Sequence, residues 1–273
     1  MQQAISNIQE QKAAEAFNKQ SAVFDTIYSP NLIIQYKRKR VRAHVESFLP
    51  QGSNILELNA GTGEDALYFA SKGHHVHATD IAANMQEALV KKINDSGLSQ
   101  NVSVELCSFN NLPALKNKGP YDLIFSNFAG LNCTGELDKV LQSFSMLLKP
   151  GGFATLVVMP AFCWWETLLA LRGNFKLAFR RFNSKHGVKA NVEGVSFTCW
   201  YYTPSFITAS VKNQFDVLSV EGLCAIVPPS YFENFPHKFP RFYKWLQKVE
   251  NKLKDKWPWK NTGDYFIITL RKK

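Results

Sequence analysis

The residues best suited to hold a ligand lie in one short stretch, Ile55 to Asp65, with the sequence ILELNAGTGED. A β-rich apolar run ends here at small residues and apolar residues at helical spacing follow, which predicts a buried strand, a turn and the start of a helix. Gly61 and Gly63 let the backbone approach a ligand closely, and a helix beginning near Glu64 points free N–H groups at the space above the turn. The stretch is therefore predicted to be a nucleotide-type ligand site.

An acidic residue stands at a suitable distance from this turn. Asp80 comes 23 residues after Glu57, at the tip of the next predicted strand in HHVHATD. A carboxylate at that place can accept hydrogen bonds from ribose hydroxyls. A glycine turn with a downstream acid also occurs in NAD enzymes, so these two features alone do not separate the cofactors.

Further motifs follow in order along the chain. Asn110-Asn111-Leu112-Pro113 comes after a third predicted strand, Tyr121 to Phe125 forms a fourth, and Leu147 to Gly152 leads into a fifth. Together with ILELNAGTGED and ATDIAANM, this ordered set resembles the class I S-adenosylmethionine (SAM)-dependent methyltransferases over roughly residues 50 to 160. The resemblance implies a Rossmann-like α/β fold, a seven-stranded and mostly parallel sheet with helices on both faces, to which insertions add a helical and aromatic cap.

The resemblance also assigns cofactor residues. In that family the acid at the position of Glu57 and the glycine turn hold the methionine part, Asp80 takes the ribose, and the residue at Ile81 lies against the adenine. Asn59 replaces the usual first glycine, and Ser108 stands where an acid commonly meets the adenine amino group. Asparagine tolerates left-handed backbone angles and a serine hydroxyl accepts hydrogen bonds. The predicted cofactor-binding residues are Glu57, Asn59, Ala60, Gly61, Gly63, Asp80, Ile81, Ser108, Phe109, Asn127 and Phe128.

The segment Ser126 to Cys133 is the predicted catalytic neighbourhood, because the carboxyl ends of strands in an open α/β sheet face the ligand crevice. Asn127 and Asn132 could orient a nucleophile, and Phe128 could cover the sulfonium by a cation–π contact. The alternative is that the asparagines cap a helix and Phe128 belongs to the core. Further candidates for a catalytic role, each with a structural or surface role as its alternative, are His186, Tyr201, Tyr202 and His237.

The expected reaction is an in-line displacement, in which an acceptor oxygen, nitrogen or carbon attacks the methyl carbon and S-adenosylhomocysteine leaves. The enzyme would contribute mainly alignment and exclusion of water. A general base is optional in this scheme, although a phenol with a pKa of about 10 would benefit from a neighbouring base or cation.

Candidate acceptor-binding residues come from the segments that flank the core. Residues 10 to 49 are predicted to form helices broken at Tyr28-Ser29-Pro30, and in similar methyltransferases such helices close over the cofactor and substrate. Phe153 to Leu171 nearly reaches the length of a membrane span, but Pro160 divides it into a strand and an apolar helix. The candidates, for which ordinary core packing is the alternative, are Tyr28, Tyr36, Trp164, Trp165, Arg180 and Trp200. The run Lys37-Arg38-Lys39-Arg40 is expected to be a solvated basic face.

The 273 residues suit one domain with an elaborate lid. We expect an N-terminal helical lid over residues 1–50, a SAM-binding core over 51–160, and cap insertions with the closing strands of the same sheet over 161–273. Five scattered cysteines favour neither a disulfide framework nor a zinc site, and His74, His75 and His77 have no companion ligand, so no metal is expected. No secretory signal pattern is found, which favours a cytoplasmic protein.

The charge is unevenly distributed. Residues 1–171 carry 14 Lys/Arg against 15 Asp/Glu, while residues 172–273 carry 18 against 7 and hold 20 of the 36 aromatic residues. Basic residues mixed with aromatic ones suit RNA, an anionic membrane surface or an acidic aromatic substrate. The Asn/Asp-Pro-Pro-aromatic signature of nucleic-acid amino-methyltransferases is replaced by Ser126-Asn127-Phe128-Ala129, which disfavours nucleic acid.

These observations predict methylation of a small aromatic or apolar acceptor, with O-methylation favoured by the aromatic enrichment of the cap. The first alternative is an RNA methyltransferase. The alternative from another class is a non-catalytic SAM-binding protein that contacts a membrane surface or a partner.

Overall fold

The computed structural model describes residues 2–182 and 187–273. Two helices come first, α1 (Gln2–Tyr28) and α2 (Leu32–Glu46), separated at the predicted break. Asn31 caps α2, because its side-chain oxygen accepts hydrogen bonds from the N–H groups of Ile33 and Ile34 at 3.0 and 3.2 Å. A capping asparagine directly after Pro30 explains why the helical pattern restarts here.

Strands and helices then alternate. The core contains β1 (Asn54–Leu58), α3 (Glu64–Ser71), β2 (His75–Asp80), α4 (Ala83–Ser96), β3 (Val102–Leu106), β4 (Tyr121–Ser126), α5 (Leu137–Leu147) and β5 (Leu148–Val158). The remainder contains α6 (Trp164–Leu168), α7 (Phe175–Ala178), β6 (Val188–Val192), β7 (Val195–Cys199), α8 (Pro204–Val211), β8 (Phe215–Leu223), α9 (Phe235–Lys238), α10 (Pro240–Leu253) and β9 (Tyr265–Lys272). Short 3₁₀ turns connect several of these elements.

The main sheet has seven strands in the order β3-β2-β1-β4-β5-β9-β8. The first five lie parallel to one another, and β9 runs antiparallel to both β5 and β8. The predicted Rossmann-like, mostly parallel sheet is therefore confirmed. Among the described residues, no helix is both long and apolar enough to cross a bilayer.

Alternate residues of each strand face the two sides of the sheet. Ile55 packs in a cluster with Val41 and Val45 of α2, whereas its neighbour Leu56 packs on the other side with residues of α5 such as Leu141. This alternation follows from the period of two along a strand. The carboxyl ends of β1, β2 and β4 are thus held at one edge by two layers of helices.

The strands β6 and β7 form a separate antiparallel hairpin. Only the second strand was predicted, over Val195 to Thr203. The turn between them has Glu193 and Gly194 at positive φ, 48° and 77°, which suits a two-residue hairpin loop. The hairpin contacts α1, where Phe197 lies 6.0 Å from Phe17 between ring centroids.

The expectation of a solvated basic face on α2 is wrong for three of its four residues, since Arg38 is 16% exposed and pairs with the buried Asp65 at 3.0 Å, and two others are buried. Lys37 and Arg40 are only 1% and 9% exposed. Lys37 Nζ pairs with Asp264 at 2.7 Å, and the Arg40 guanidinium pairs with Glu221 at 3.2 Å and Glu250 at 3.3 Å. These cations are buried because carboxylates from the C-terminal part reach them, and spacing within α2 does not reveal such partners.

Candidate active site

A pocket opens above the carboxyl ends of β1, β2 and β4, beside the glycine turn. Seven of the residues predicted to bind the cofactor line it, namely Asn59, Gly61, Asp80, Ile81, Phe109, Asn127 and Phe128. They come from four separate loops after strands. The structure therefore brings together residues that the sequence assigned to one ligand.

Asp80 holds the glycine turn in place. One of its carboxylate oxygens accepts the N–H of Gly61 at 2.8 Å, and the other accepts the N–H of Ala82 at 2.8 Å. Gly61 has φ +56°, a backbone angle that disfavours a side chain. Burial raises the pKa of the Asp80 carboxyl, and backbone hydrogen bonds oppose that rise. An ionised carboxylate has about four acceptor sites, so Asp80 keeps capacity for hydroxyl donors.

Asn59, in the place of the usual first glycine, joins β1 to the segment after β4. Its φ is +48°, its side-chain N–H donates to the carbonyl of Asn127 at 2.9 Å, and its side-chain oxygen accepts the Ser126 hydroxyl at 2.6 Å. A Cβ at Gly130 would lie 2.2 Å from the Asn59 side chain. Gly130 on the facing loop therefore leaves the space that the Asn59 side chain occupies, which lets an asparagine stand where the family usually has a glycine.

Glu57 is buried at the end of β1, and one of its carboxylate oxygens has no hydrogen-bond partner among the described residues. Burial, reinforced by the nearby Asp65, raises the pKa of Glu57 well above its usual range. Burial also opposes ionisation of Asp65, but Arg38 and Arg42 lower its pKa from 3.8, with Arg38 Nη1 at 3.0 Å and Arg42 Nε at 2.7 Å. Glu57 is therefore the acid of this pair that lacks a cation.

The helix α1 forms the roof of the pocket. Glu10, Ala13, Ala14, Phe17 and Phe24 all line it from this helix. The Glu10 carboxylate is buried and accepts a hydrogen bond from the Ser108 hydroxyl. Ser108 is the residue at which the family usually has an acid, so α1 delivers a carboxylate to that place. Sequence reasoning missed Glu10, because NIQEQK contains no local signal that singles it out.

The two candidate catalytic asparagines use their side chains in hydrogen bonds within the protein. Asn127 donates to Asp65 at 2.8 Å and accepts the N–H of Phe128 at 2.8 Å. Asn132 donates to the carbonyls of Trp200 and Met159 and accepts the Met159 N–H at 3.0 Å. Both asparagines hold loops at the edge of the sheet, but neither caps a described helix, since the N-cap positions of the two helical turns that follow are Ala129 and Glu136.

The remaining catalytic candidates that fall in the described part of the chain do not line this pocket. Tyr201 is buried with the Arg181 guanidinium 5.1 Å from its ring centroid, and burial raises its pKa to about 12. The Tyr202 hydroxyl donates to the carbonyl of Thr134, and His237 is exposed on α9. His186 lies outside the described residues.

The polar acceptor candidates are used in structural contacts. The Tyr36 hydroxyl donates to Glu250 at 3.0 Å and accepts from Arg40 at 3.1 Å. Arg180 forms two hydrogen bonds with Glu166 at 2.6 and 2.8 Å, and this carboxylate raises the arginine pKa against the effect of burial. Both side chains are thus held by carboxylates of the C-terminal half of the chain.

The aromatic acceptor candidates are dispersed. Tyr28 packs 4.6 Å from Phe24, which lines the pocket. Trp165 packs 5.9 Å from Phe232 and Trp164 is half exposed, both in the insertion after β5. Trp200 is half-buried and donates its backbone N–H to the carbonyl of Asn132 at 2.8 Å. Tyr28 therefore packs directly behind a residue of the pocket wall.

Cys163, Glu166 and Asp264 lie together and resemble a set of metal ligands, with their ligand atoms within 4.8 Å of one another. Arg181 donates to both carboxylates, at 2.6 Å to Glu166 and 3.0 Å to Asp264. Lys37 also binds Asp264. The cations already neutralise these carboxylates, so the group is a buried ion-pair network.

The pocket's surroundings match a known family. Residues 55–152 match the family model described as "Methyltransferase domain". A dimethylglycine N-methyltransferase of Parasynechococcus marenigrum (strain WH8102) is 37% identical over 106 residues, 38% of this chain and 36% of the relative. A tRNA 5-carboxymethoxyuridine methyltransferase of Escherichia coli (strain K12) is 30% identical over 108 residues, 40% of this chain and 41% of the relative. The chain thus matches about two fifths of the length of each.

The fold extends the similarity beyond the part that the sequence relatives cover. The crystal structure of Burkholderia thailandensis 1,6-didemethyltoxoflavin-N1-methyltransferase with bound 1,6-didemethyltoxoflavin and S-adenosylhomocysteine superposes with a TM-score of 0.59 at 14% identity. The alignment covers 98% of this chain and 90% of that chain. At this identity the likeness concerns the fold alone.

Proposed function

We propose that this chain, which has the class I SAM-dependent methyltransferase fold and uses SAM as its cofactor, methylates a small apolar or aromatic acceptor. The observation that carries the proposal is the roofed pocket in which Asp80 fixes Gly61 at 2.8 Å beneath the apolar face of α1. Bound there, SAM supplies an electrophilic methyl group and leaves as S-adenosylhomocysteine.

The residues present fit SAM. Ile81, Met85 and Phe109 provide apolar walls for a purine, and Asp80 has acceptor capacity for ribose hydroxyls. The unpartnered oxygen of Glu57 is a buried acceptor that a ligand ammonium group would satisfy. We propose that these residues hold the adenine, the ribose and the methionine amino group respectively.

We propose that the enzyme acts mainly by alignment and by excluding water. Asn127 is the catalytic candidate, among the described residues, that lines the pocket. Its amide is not a base, and it is bonded to Asp65 and to the N–H of Phe128. Phe128 lines the pocket, with the Arg38 guanidinium 4.8 Å from its ring centroid and the Tyr265 ring in edge contact at 6.3 Å, and we propose that the part of the ring that faces the pocket meets the sulfonium. An acceptor oxygen that ionises readily, such as an acidic phenol, would need no base.

The roof and the ion pairs favour a small acceptor. The α1 helix covers the pocket, so we propose that residues 1–50 act as a lid. Residues 161–200 and 228–260 extend the fold beyond the core, so we propose that the insertions of 161–273 shape the acceptor site. Lys37, Arg40, Arg180 and Arg181 are engaged in ion pairs with buried carboxylates. This part of the basic excess is unavailable to a polynucleotide.

RNA methylation is the second candidate, because one relative is named as a tRNA methyltransferase. The test is an assay with methyl-labelled SAM, offered a panel of acidic phenols and hydroxyquinones in one arm and total tRNA in the other. Label in a small acceptor, with formation of S-adenosylhomocysteine, supports the proposal. Label in tRNA alone supports the rival, and binding of SAM with no transfer in either arm supports a non-catalytic role.

Glu10 is expected to read the adenine amino group. The Glu10→Gln variant retains the size of the side chain but removes its charge beside Ser108. The Glu10→Ala variant also removes the oxygen that would accept a hydrogen bond from the adenine amino group. We expect Glu10→Ala to weaken S-adenosylhomocysteine binding at least tenfold, because a hydrogen bond to a charged group contributes about 1.5–3 kcal/mol. Calorimetric titration measures this loss.

The control ligand is S-inosylhomocysteine, which lacks the amino group. Wild type should prefer the adenosine ligand, and Glu10→Ala should bind the two ligands nearly equally. An unchanged preference in the variant would show that Glu10 only supports the roof.

A further inference from the structure

The helix α10 presents an apolar aromatic stripe to solvent. Phe242 and Trp245 are 51% and 54% exposed, and Phe239, directly before the helix, is 54% exposed. The rings of Phe242 and Trp245 stack 5.5 Å apart at 13°. Large apolar side chains that cluster on a surface mark an interaction site more often than single ones do.

The opposite side of the same helix explains why this stripe is exposed. Tyr243 and Leu246 are buried against Ile33 and Tyr36 of α2, and Glu250 is buried one turn further. At 100° per residue, Phe242 and Trp245 lie beside this buried face, not within it. The exposed aromatic stripe is therefore not needed to anchor α10.

Basic residues flank the aromatic stripe. The fifteen residues from Phe235 to Val249 contain Lys238, Arg241, Lys244 and Lys248, and no Asp or Glu. All four cations are exposed, and within the described ranges none of them forms a salt bridge. We call Phe239, Phe242, Trp245 and these four cations the α10 face.

A second group of exposed apolar side chains lies on the insertion after β5. Leu171 is 84% exposed, and Phe175, Phe179 and Phe182 are each at least 50% exposed. This insertion meets the segment before α10 where Trp165 packs 5.9 Å from Phe232. The insertion after β5 and the segment that contains α10 thus both expose large apolar side chains to solvent.

We propose that the α10 face docks on an anionic phospholipid bilayer, with its aromatic side chains in the interfacial region and its cations on the headgroups. Aromatic residues flanked by unpaired Lys and Arg match an interfacial helix, and each cation near an anionic leaflet strengthens binding. RNA fits less well, because Phe242 and Trp245 cover one face of each other and Leu171 offers no ring for base stacking. The proposal is independent of the methyl acceptor.

The test is flotation of the full chain with vesicles of phosphatidylcholine alone or mixed equally with phosphatidylglycerol. We expect binding to the anionic vesicles at low salt, little binding to the neutral ones, and weakening as salt is raised. The double variant Phe242→Ser/Trp245→Ser and the charge reversal Lys244→Glu/Lys248→Glu should each weaken binding at least tenfold.

Matched controls lie elsewhere on the molecule. Met146→Ser removes an apolar side chain that is 61% exposed on α5, on the other face of the sheet, and Lys116→Glu/Lys118→Glu reverses two exposed charges before β4. Both should bind vesicles like wild type. Far-ultraviolet circular dichroism and SAM titration confirm that each variant is folded.

Three results would overturn the proposal. They are no flotation of wild type with anionic vesicles, equal losses in the control and α10 variants, and retained flotation in both α10 variants. A tRNA gel shift that depends on Trp245, without flotation, would instead assign the face to nucleic acid.

Discussion

Replacing Asp264 by Asn is expected to lower the free energy of unfolding by about 3–5 kcal/mol, because removing one partner leaves buried cations without a counter-charge. Lys37 is 1% exposed and would keep neutral neighbours, namely the Ser230 hydroxyl at 3.2 Å, the Tyr265 ring at 4.5 Å and the new amide, none of which carries a counter-charge. Burial alone would lower the pKa of Lys37, and Asp264 is what raises it. Arg181 would keep Glu166 but lose the 3.0 Å contact with the Asp264 carboxylate. Denaturant unfolding at neutral pH measures the change.

The matched control for this prediction is Asp216→Asn. Asp216 is also a salt-bridged aspartate, but its side chain is 67% exposed and lies 3.7 Å from Lys273, so its removal should cost less than about 1 kcal/mol. Similar losses for the two variants would refute the buried network as a stabilising unit. Replacing the pair together, as Lys37→Met/Asp264→Leu, should restore part of the stability that Asp264→Asn loses.

The same network sets the sign of a pH effect. Burial opposes ionisation of Asp264, but Lys37 and Arg181 hold its pKa below the usual 3.8. A carboxyl with a depressed pKa contributes stability above its unfolded pKa and loses that contribution as the pH falls through the folded value. Wild type should therefore lose stability on acidification below about pH 4, more steeply than Asp264→Asn does.

Glu57→Gln is expected to weaken SAM binding at least tenfold while leaving the free protein as stable as wild type or more stable. The variant removes the buried carboxylate that we propose meets the ligand ammonium group, and a hydrogen bond to a charged group contributes about 1.5–3 kcal/mol. The pKa of Glu57 is raised in the folded protein, so the folded state binds its proton more tightly than the unfolded state. The contribution of Glu57 to the free energy of unfolding therefore falls as the pH rises from 4.5, its usual pKa, towards its pKa in the folded protein. Glutamine does not titrate, so the variant lacks this decrease.

Opposite effects on binding and stability distinguish a ligand residue from a structural one. Calorimetry with SAM and denaturant unfolding of the same preparations provide the two readings. Glu87→Gln, an exposed acid on α4, is the control and should change neither. A Glu57→Gln variant that is markedly less stable than wild type would show that the carboxylate is structural.

The parts of the fold that depend on local sequence were predictable. The strand, glycine turn and helix around Gly61 follow from the apolar period and from residues that tolerate positive φ, and the order of motifs up to Gly152 matched the family over that range. The closing strands expected in the same sheet within 161–273 are β8 and β9, which pair with each other at its edge. Local patterns specify these elements because their partners are adjacent strands and turns.

The parts that depend on distant partners were not predictable. Glu10 meets Ser108 across 98 positions of the chain, and Lys37 meets Asp264 across 227. In a single sequence, a buried lysine and a solvated one look alike until the carboxylate that pairs with it is located. Asn132 shows the same limit of sequence reasoning. Its side-chain amide could bind a ligand or the protein backbone, and only the structure shows that it binds the backbone of Met159.

The central claim, that the roofed pocket binds SAM, is tested most directly by calorimetric titration of SAM and S-adenosylhomocysteine into wild type and Asp80→Ala. The account predicts micromolar binding to wild type and a loss of at least tenfold, about 1.4 kcal/mol, in the variant. That loss is expected because the variant removes a ribose acceptor and the 2.8 Å contact that fixes Gly61. Absence of binding to wild type by either ligand, or equal affinities for wild type and Asp80→Ala, would contradict it.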